Sequence, residues 1–456
     1  MSIQRNEKVR RAFSFATTCL LWLAYCASAT ADSIDEYIHA EMRNQRIPGL
    51  ALAVIREGRP VKVTGYGLAN IELAVPATPD TVFRIASVSK QIMATAVMLL
   101  ASEGKLDLDD PICRYIAGCP ESWQPIRIRH VLTHTSGLSR EAPGNSPFKV
   151  ESDMDVIRRA FAAPTLSKPG DQWSYSNLGY SVLAQIISHT SGKSWSDFIA
   201  ERIFAPLGMT ATRTTDFIEI VPNRASGYQF RDNRQRNVPP LLALRPSGAF
   251  LSTLRDLVKW DAAVTAGTLI PNAMQEQMWT AALLTDGSST NYGFGWWIDQ
   301  VAGHRRVRHG GTNPGFRAEY ARFVDEKLDV IVLANGESAR TDEIAVVVAG
   351  HFIPGLSPER EIIALSPSAL TAYAGQYRVS EAEVLTIAVD GPGLSIQSST
   401  GSSQFRMLPE TSSVFFISKS ESYVFIREGS TVKQMEVRNG TAGSLGPAVL
   451  TAQKVQ

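Results

Sequence analysis

The spacing of apolar and polar positions divides the chain into regions of different period. Residues 32–49, "DSIDEYIHAEMRNQRIPG", open on an Asp/Ser cap and close on Pro48-Gly49, which predicts a helix. Two β-rich runs follow over 50–70 and fold about Glu57-Gly58-Arg59 as a hairpin. From Ser87 the period becomes helical: Val88, Ile92, Ala96, Val97, Leu99 and Leu100 share a stripe, and Gly104 ends it. The stretch from about 110 to 270 reads as helices and loops. Its clearest helices are 177–193, striped by Leu178, Val182 and Ile186, and 252–267, which opens on Thr253 and Asp256 in a capping-box arrangement. Past 290 the strand period returns. Residues 292–299, 304–309, 316–325 and 328–336 predict a meander, followed by a helix over 341–353. A sheet drawn from both ends of this region would bring distant segments together.

Beyond the Pro- and Ser-rich break at 354–368 the pattern is all-β. "VLTIAV", "LSIQ", "VFFIS", "YVFIR" and "VKQMEV" are short strands with turn residues between them, as in a small barrel. The expected fold is therefore α+β. Residues 32–356 form an antiparallel sheet flanked by helices with an all-helical insertion, and residues 366–456 form a C-terminal β-barrel-like domain.

The first 31 residues have a different pattern. Arg5, Lys8, Arg10 and Arg11 precede an apolar run from Ala12 to Cys26, and Ala29-Thr30-Ala31 follows. This is the layout of a cleavable signal peptide, with cleavage expected after Ala31 and a periplasmic or secreted product. "RRAFSF" fits a twin-arginine signal as well as an ordinary export signal. Taking four basic residues and one acidic from 45 and 44 leaves 41 and 43, a balance of −2. With no basic patch, nucleic-acid binding has no support. No later segment has the ~18 uninterrupted apolar residues of a membrane span. Cys113 and Cys119 remain in the mature chain, either as a local disulfide or as two free thiols. The histidines are scattered, with no His-x-x-x-His or Cys-x-x-Cys pair, so neither a metal site nor a cofactor is expected.

Candidate chemistry starts from Ser-x-x-Lys, which occurs four times: Ser87/Lys90, Ser102/Lys105, Ser146/Lys149 and Ser430/Lys433. Only Ser87/Lys90 opens a well-patterned helix. That context would put both side chains on one face and the first-turn N–H groups near a developing oxyanion. An inward-pointing lysine would lose solvation, and with it part of its basicity, and become a base for the serine. Two further segments carry suitable partners. Tyr175 and Asn177, in "WSYSN", offer a proton relay and an amide that can order the lysine and a substrate carbonyl. "RHGGT" offers His309, two glycines that admit a substrate backbone, and the Thr312 N–H as a second oxyanion donor. Arg306 and Arg308 alternate with His309 and read as a solvated strand face. His134 reads as a turn brace, and Trp173 as either cleft lining or packing.

The order Ser-x-x-Lys, Tyr-x-Asn, His-x-Gly resembles the serine β-lactamase and penicillin-binding-protein superfamily. "VLTHTSGL", "PGDQWSYSNLGY", "IFAPLGMTAT" and "HGGTNPGF" resemble its branch of class C β-lactamases, D-aminopeptidases, D-Ala-D-Ala carboxypeptidase and esterases, over residues 35–352. The resemblance implies an acyl-serine hydrolase with Ser87 as nucleophile and Lys90 and Tyr175 sharing base and acid duty, in an order left open. Asn177, His309, Gly311 and Thr312 would contact the substrate, a small peptide, amide or ester. Histidine stands where class C β-lactamases carry lysine, which favours a peptidase or esterase over a β-lactamase. The alternatives are a β-lactamase, or a catalytically silent penicillin- or muropeptide-binding sensor on the same fold. The C-terminal region weakly resembles lipocalin-like barrels, opening with "YAGQYRV", and the oligomeric state is left open.

Overall fold

The computed structural model describes residues 33–146, 148–214, 218–239, 245–356, 360–401, 404–417, 421–441 and 444–455. The expected signal peptide lies outside the described residues.

A seven-stranded antiparallel sheet is built from both ends of the first region. The N-terminal part supplies β1 (Gly49–Arg56), β2 (Arg59–Asn70) and β3 (Val75–Pro76). After a short pair made by β4 (Phe83–Arg84) and β7 (Leu251–Ser252), the later part supplies β8 (Trp297–Val301), β9 (His304–Asn313), β10 (Phe316–Phe323) and β11 (Leu328–Ala334). The order is β3-β2-β1-β11-β10-β9-β8. β1 and β11 sit at the centre and are buried on both faces, which is why they read as continuous apolar runs. The β1–β2 hairpin turns where expected. Glu57 and Gly58 have φ of 52° and 72°, so both central residues adopt the left-handed conformation that a two-residue hairpin needs.

One face of the sheet packs on α2 (Ser89–Ser102) and α7 (Leu254–Ala266), which is followed by α8 (Asn272–Met278). α5 (Asn177–Ser191) lies against α2 and is surrounded by α3 (Ile128–Leu132), α4 (Asp153–Ala160) and α6 (Trp195–Ile199). The other packs on α1, the helix over 33–44, and α9 (Thr341–Gly350). Of the capping box expected at Thr253 and Asp256 one half is present, Thr253 Oγ1 accepting from the Asp256 N–H, while the Asp256 carboxylate accepts from the Ala211 and Thr212 N–H groups instead. Gly192 and Gly267 end α5 and α7 with φ of 70° and 61°. The helix-rich middle also carries a hairpin of β5 (Tyr228–Arg231) and β6 (Arg234–Asn237). Cys113 and Cys119 are joined as a disulfide.

Residues 375–454 form a closed eight-stranded barrel in which strands follow one another in chain order. Its interior is filled by Tyr377, Ile387, Leu394, Met407, Phe425 and Met435, so it is a packed core. Arg46 of the first region reaches Asp390 of the barrel at 2.8 Å and 3.0 Å, and Arg340 reaches Glu421 at 3.5 Å. Arg46 and Arg340 belong to the layer of the 33–44 helix and α9, so the barrel docks on the side of the sheet away from α2. Among the described residues no helix is long and apolar enough to cross a membrane.

Candidate active site

Ser87 lies in a single 3-10 turn, Ala86–Val88, immediately before α2, and Lys90 is the second residue of the helix. The helix therefore starts two residues later than its pattern predicts. Ala86 has φ of +47°, a left-handed conformation that costs a residue with a Cβ on the order of 1 kcal/mol. This turn lies against β9: a Cβ on Gly311 would meet the Ile85 carbonyl oxygen at 2.2 Å. Glycine at 311 lets the segment carrying Ser87 touch the strand.

β8 covers β9 only as far as Arg308, which pairs with Trp297. From His309 to Asn313 that edge of β9 is not covered by β8, and Gly311 and Thr312 sit on this open length. Thr312 is exposed.

Lys90 is fully buried. Its Nζ lies 3.1 Å from Ser87 Oγ, 2.9 Å from Asn177 Oδ1 and 2.8 Å from the Ser247 carbonyl oxygen. The ring centroids of Tyr175 and Tyr180 are 4.7 Å and 5.2 Å away. Burial holds the amine well below the usual lysine range, against the pull of Glu141 and helped by the charge of Arg140. Burial moves Tyr175 the opposite way, raising its phenol above the usual tyrosine range, with a hydrogen bond to Ser87 opposing the shift.

Asn177 is placed by the start of α5. The N-cap, Ser176, accepts from the Gly179 N–H at 2.9 Å and donates to the Ser139 carbonyl at 2.7 Å. The Asn177 amide nitrogen donates to Glu141 Oε1 at 2.6 Å, so a carboxylate stands at the exposed mouth of the site.

His309 is buried, and both ring nitrogens are engaged. Nδ1 donates to the Gly310 carbonyl at 2.7 Å, which leaves Nε2 to accept from the Tyr292 hydroxyl at 2.9 Å. Burial, with the nearby charge of Lys90, pushes its pKa down to about 3. Around it lies an aromatic wall: Trp173 and Trp297 with centroids 5.0 Å apart, Tyr292 and Trp297 at 5.1 Å, and His134 and Tyr175 at 4.3 Å. His134 braces the turn: Nδ1 accepts from the Ser176 N–H at 3.1 Å and its carbonyl from the Ser174 N–H at 2.8 Å.

The structure therefore gathers Ser87, Lys90, Tyr175, Asn177 and His309, with Gly311 and Thr312 on the adjoining open edge. Tyr292, Glu141 and the Ser247 carbonyl were not anticipated. The first was hidden in an apolar run read as a strand over 292–299, although β8 begins only at Trp297. The last is a backbone atom and leaves no side-chain signal. Arg306 and Arg308 are not on a solvated face. Each donates to Asp299 at 2.8 Å, and Arg308 leans on the buried Glu319.

A family model described as Beta-lactamase matches residues 34–349. Penicillin-binding protein 4* of Bacillus subtilis (strain 168) is 27% identical over 77% of this chain and 84% of its own length. The D-aminopeptidase of Brucella canis is 27% identical over 72% of this chain and 64% of its own length. An octameric penicillin-binding protein homologue from Pyrococcus abyssi superposes with a TM-score of 0.68 at 23% identity, covering 93% of this chain and all of that one, which shows a shared fold.

Proposed function

This chain belongs to the β-lactamase family, and from that premise we propose that it is an exported serine hydrolase acting through acyl-Ser87 on D-amino-acid-containing peptides or amides, or related esters. One observation carries the proposal. A neutral amine donates two hydrogen bonds and accepts one. Asn177 Oδ1 and the Ser247 carbonyl, at 2.9 Å and 2.8 Å, take both donors of a neutral Lys90. Its lone pair is then left to the Ser87 hydroxyl.

Ser87 Oγ attacks the substrate carbonyl carbon while its proton passes to Lys90. The N–H groups of Ser87 and Thr312 receive the oxyanion. The intermediate collapses, the bond to the leaving group breaks, and Tyr175 relays the proton to the departing atom. Water then attacks the acyl-serine, and the same groups run in reverse to free Ser87. Because Tyr175 holds its proton and Lys90 sheds one easily, Lys90 is the first base in this scheme and Tyr175 the relay. Asn177 orders Lys90, and His309 lines the wall as a neutral ring.

The test is intact-mass detection of a covalent adduct with a fluorophosphonate or a penicillin. Wild type should gain one adduct and Ser87→Ala none; an unlabelled wild type would leave a silent binding protein as the better reading. Nitrocefin turnover should be weak or absent, because His309 offers no cation to a β-lactam carboxylate. Rapid nitrocefin hydrolysis would overturn that part.

The substrate class is argued from Glu141. Its carboxylate at the mouth suits the free ammonium of an aminoacyl substrate, consistent with a D-aminopeptidase among the relatives. Glu141→Gln should lower kcat/KM for D-Ala-p-nitroanilide by about 10-fold, the scale of one exposed charge-assisted contact. N-acetyl-D-Ala-p-nitroanilide should be spared. Equal losses on both would reduce Glu141 to a support for Asn177.

A further inference from the structure

Arg84 lies three residues before Ser87, on β4, and is 6% exposed. Its neighbours Phe83 and Ile85 point into the core, so by alternation Arg84 faces the other way, toward a cavity of about 300 Å³. Its Nη1 is buried with no hydrogen-bond partner. Arg224, backbone-bridged to Val82, lines the same cavity and is half-buried. Among the described residues no carboxylate lines it; the remaining wall includes Phe316, Pro314, Val238 and Pro239. Glu219, which favours the charged form of Arg224, is itself paired with Arg213 at 3.1 Å. Burial and the neighbouring Arg224 charge push Arg84 down to about 10.

A buried guanidinium without an anion is costly, and a second one beside it raises that cost. Ser226 and Asn237, the other polar side chains of the wall, are uncharged and bonded to Asn70 and Glu72. Two guanidinium groups facing an open cavity without a counter-charge in its wall are best satisfied by a ligand. The position also matters. Arg84 adjoins Ile85, whose carbonyl touches Gly311, and Phe316 pairs with Asn313 just after Thr312. The cavity thus adjoins both segments assigned to the oxyanion hole.

We infer that this cavity is an anion site in which Arg84 and Arg224 together receive a carboxylate, whose apolar body lies against Phe316, Val238 and Pro239. The planar guanidinium fork suits a carboxylate. The carboxylate has two possible sources: the C-terminal end of a peptide held at Ser87, or a separate small carboxylic acid. The site itself does not depend on the reaction proposed above.

The test has two arms. In the first, thermal midpoints of wild type and Ser87→Ala are followed against N-acetyl-D-alanine and acetate at constant ionic strength, with chloride as reference. A saturable, carboxylate-specific rise is expected in both, lost in Arg84→Met and weakened in Arg224→Met. Because Ser87→Ala is included, failure of the catalytic proposal leaves this arm readable. In the second, kcat/KM is compared for a D-Ala-D-Ala-type peptide and its C-terminal amide. A substrate-borne carboxylate predicts that Arg84→Met lowers the acid-to-amide ratio by about 10-fold or more. An unchanged ratio with a lost midpoint shift assigns the site to a separate carboxylic acid. If Arg84→Met misfolds by near-ultraviolet circular dichroism, Arg84→Lys and Arg224→Met carry the test. No carboxylate-specific shift in wild type together with an unchanged ratio overturns the inference.

Discussion

Replacing Lys90 with methionine is expected to lower kcat/KM by about 10³–10⁴-fold, the range for losing a general base. Methionine keeps an unbranched apolar side chain, one atom shorter than that of lysine, but removes the lone pair aimed at Ser87 Oγ, 3.1 Å away. Lys90→Arg should fail nearly as badly, because a guanidinium stays protonated and cannot take the serine proton. The pH dependence fixes the sign. Lys90 is held below the ordinary lysine range by burial, so the neutral, competent form accumulates as pH rises through that lowered value. Wild-type kcat/KM should therefore show an ascending limb well before an ordinary lysine would lose its proton, and that limb should be missing from the residual activity of Lys90→Met. Steady-state kinetics on D-Ala-p-nitroanilide across pH, with near-ultraviolet circular dichroism as a fold check, measures both. Activity within 10-fold of wild type would remove Lys90 from the role of base.

Much of this arrangement is legible in the sequence because it rests on local rules. The periods of β1, β10 and β11, and the caps of α5 and α7, each follow from a few neighbouring residues, and the glycine at 58 marks the first hairpin. What is not legible depends on backbone placement. Ser87 sits in a 3-10 turn because Ala86 takes φ of +47°, and alanine does not advertise a left-handed conformation as glycine does. The run "YGFGWWID" looks like a strand by composition. Yet its glycines serve close approach: a Cβ on Gly293 would meet the Met278 carbonyl at 2.1 Å, and one on Gly295 the Lys90 carbonyl at 2.7 Å. That packing leaves Tyr292 free to reach His309. The period-two rule correctly places Arg306 and Arg308 opposite His309. It cannot say that Asp299 and Glu319 meet them there. In the barrel, Gln404–Pro409 and Ser444–Lys454 are strands, each paired with its own neighbours, although Pro409 ends the first and the Gly-Pro at 446–447 breaks the sequence pattern of the second.

The relay assigned to Tyr175 separates substrates by their leaving groups. An amide nitrogen cannot depart without a proton, whereas p-nitrophenolate leaves as a stable anion. Tyr175→Phe removes the hydroxyl and keeps the ring that packs on His134 at 4.3 Å and faces Lys90 at 4.7 Å. The variant should therefore lose about 10²–10³-fold in kcat/KM on D-Ala-p-nitroanilide and still more on a dipeptide, the scale of a lost general acid. On p-nitrophenyl acetate the loss in acylation should stay within about 10-fold, because little proton transfer to the leaving group is needed there. Because burial raises the phenol, wild type should show no descending limb near neutral pH from Tyr175 ionisation. If Tyr175 were instead the first base, the ester and the amide would fall together, since both need the Ser87 proton removed. The ratio of the two losses, measured on one preparation, thus decides between base and relay for a residue whose geometry admits both.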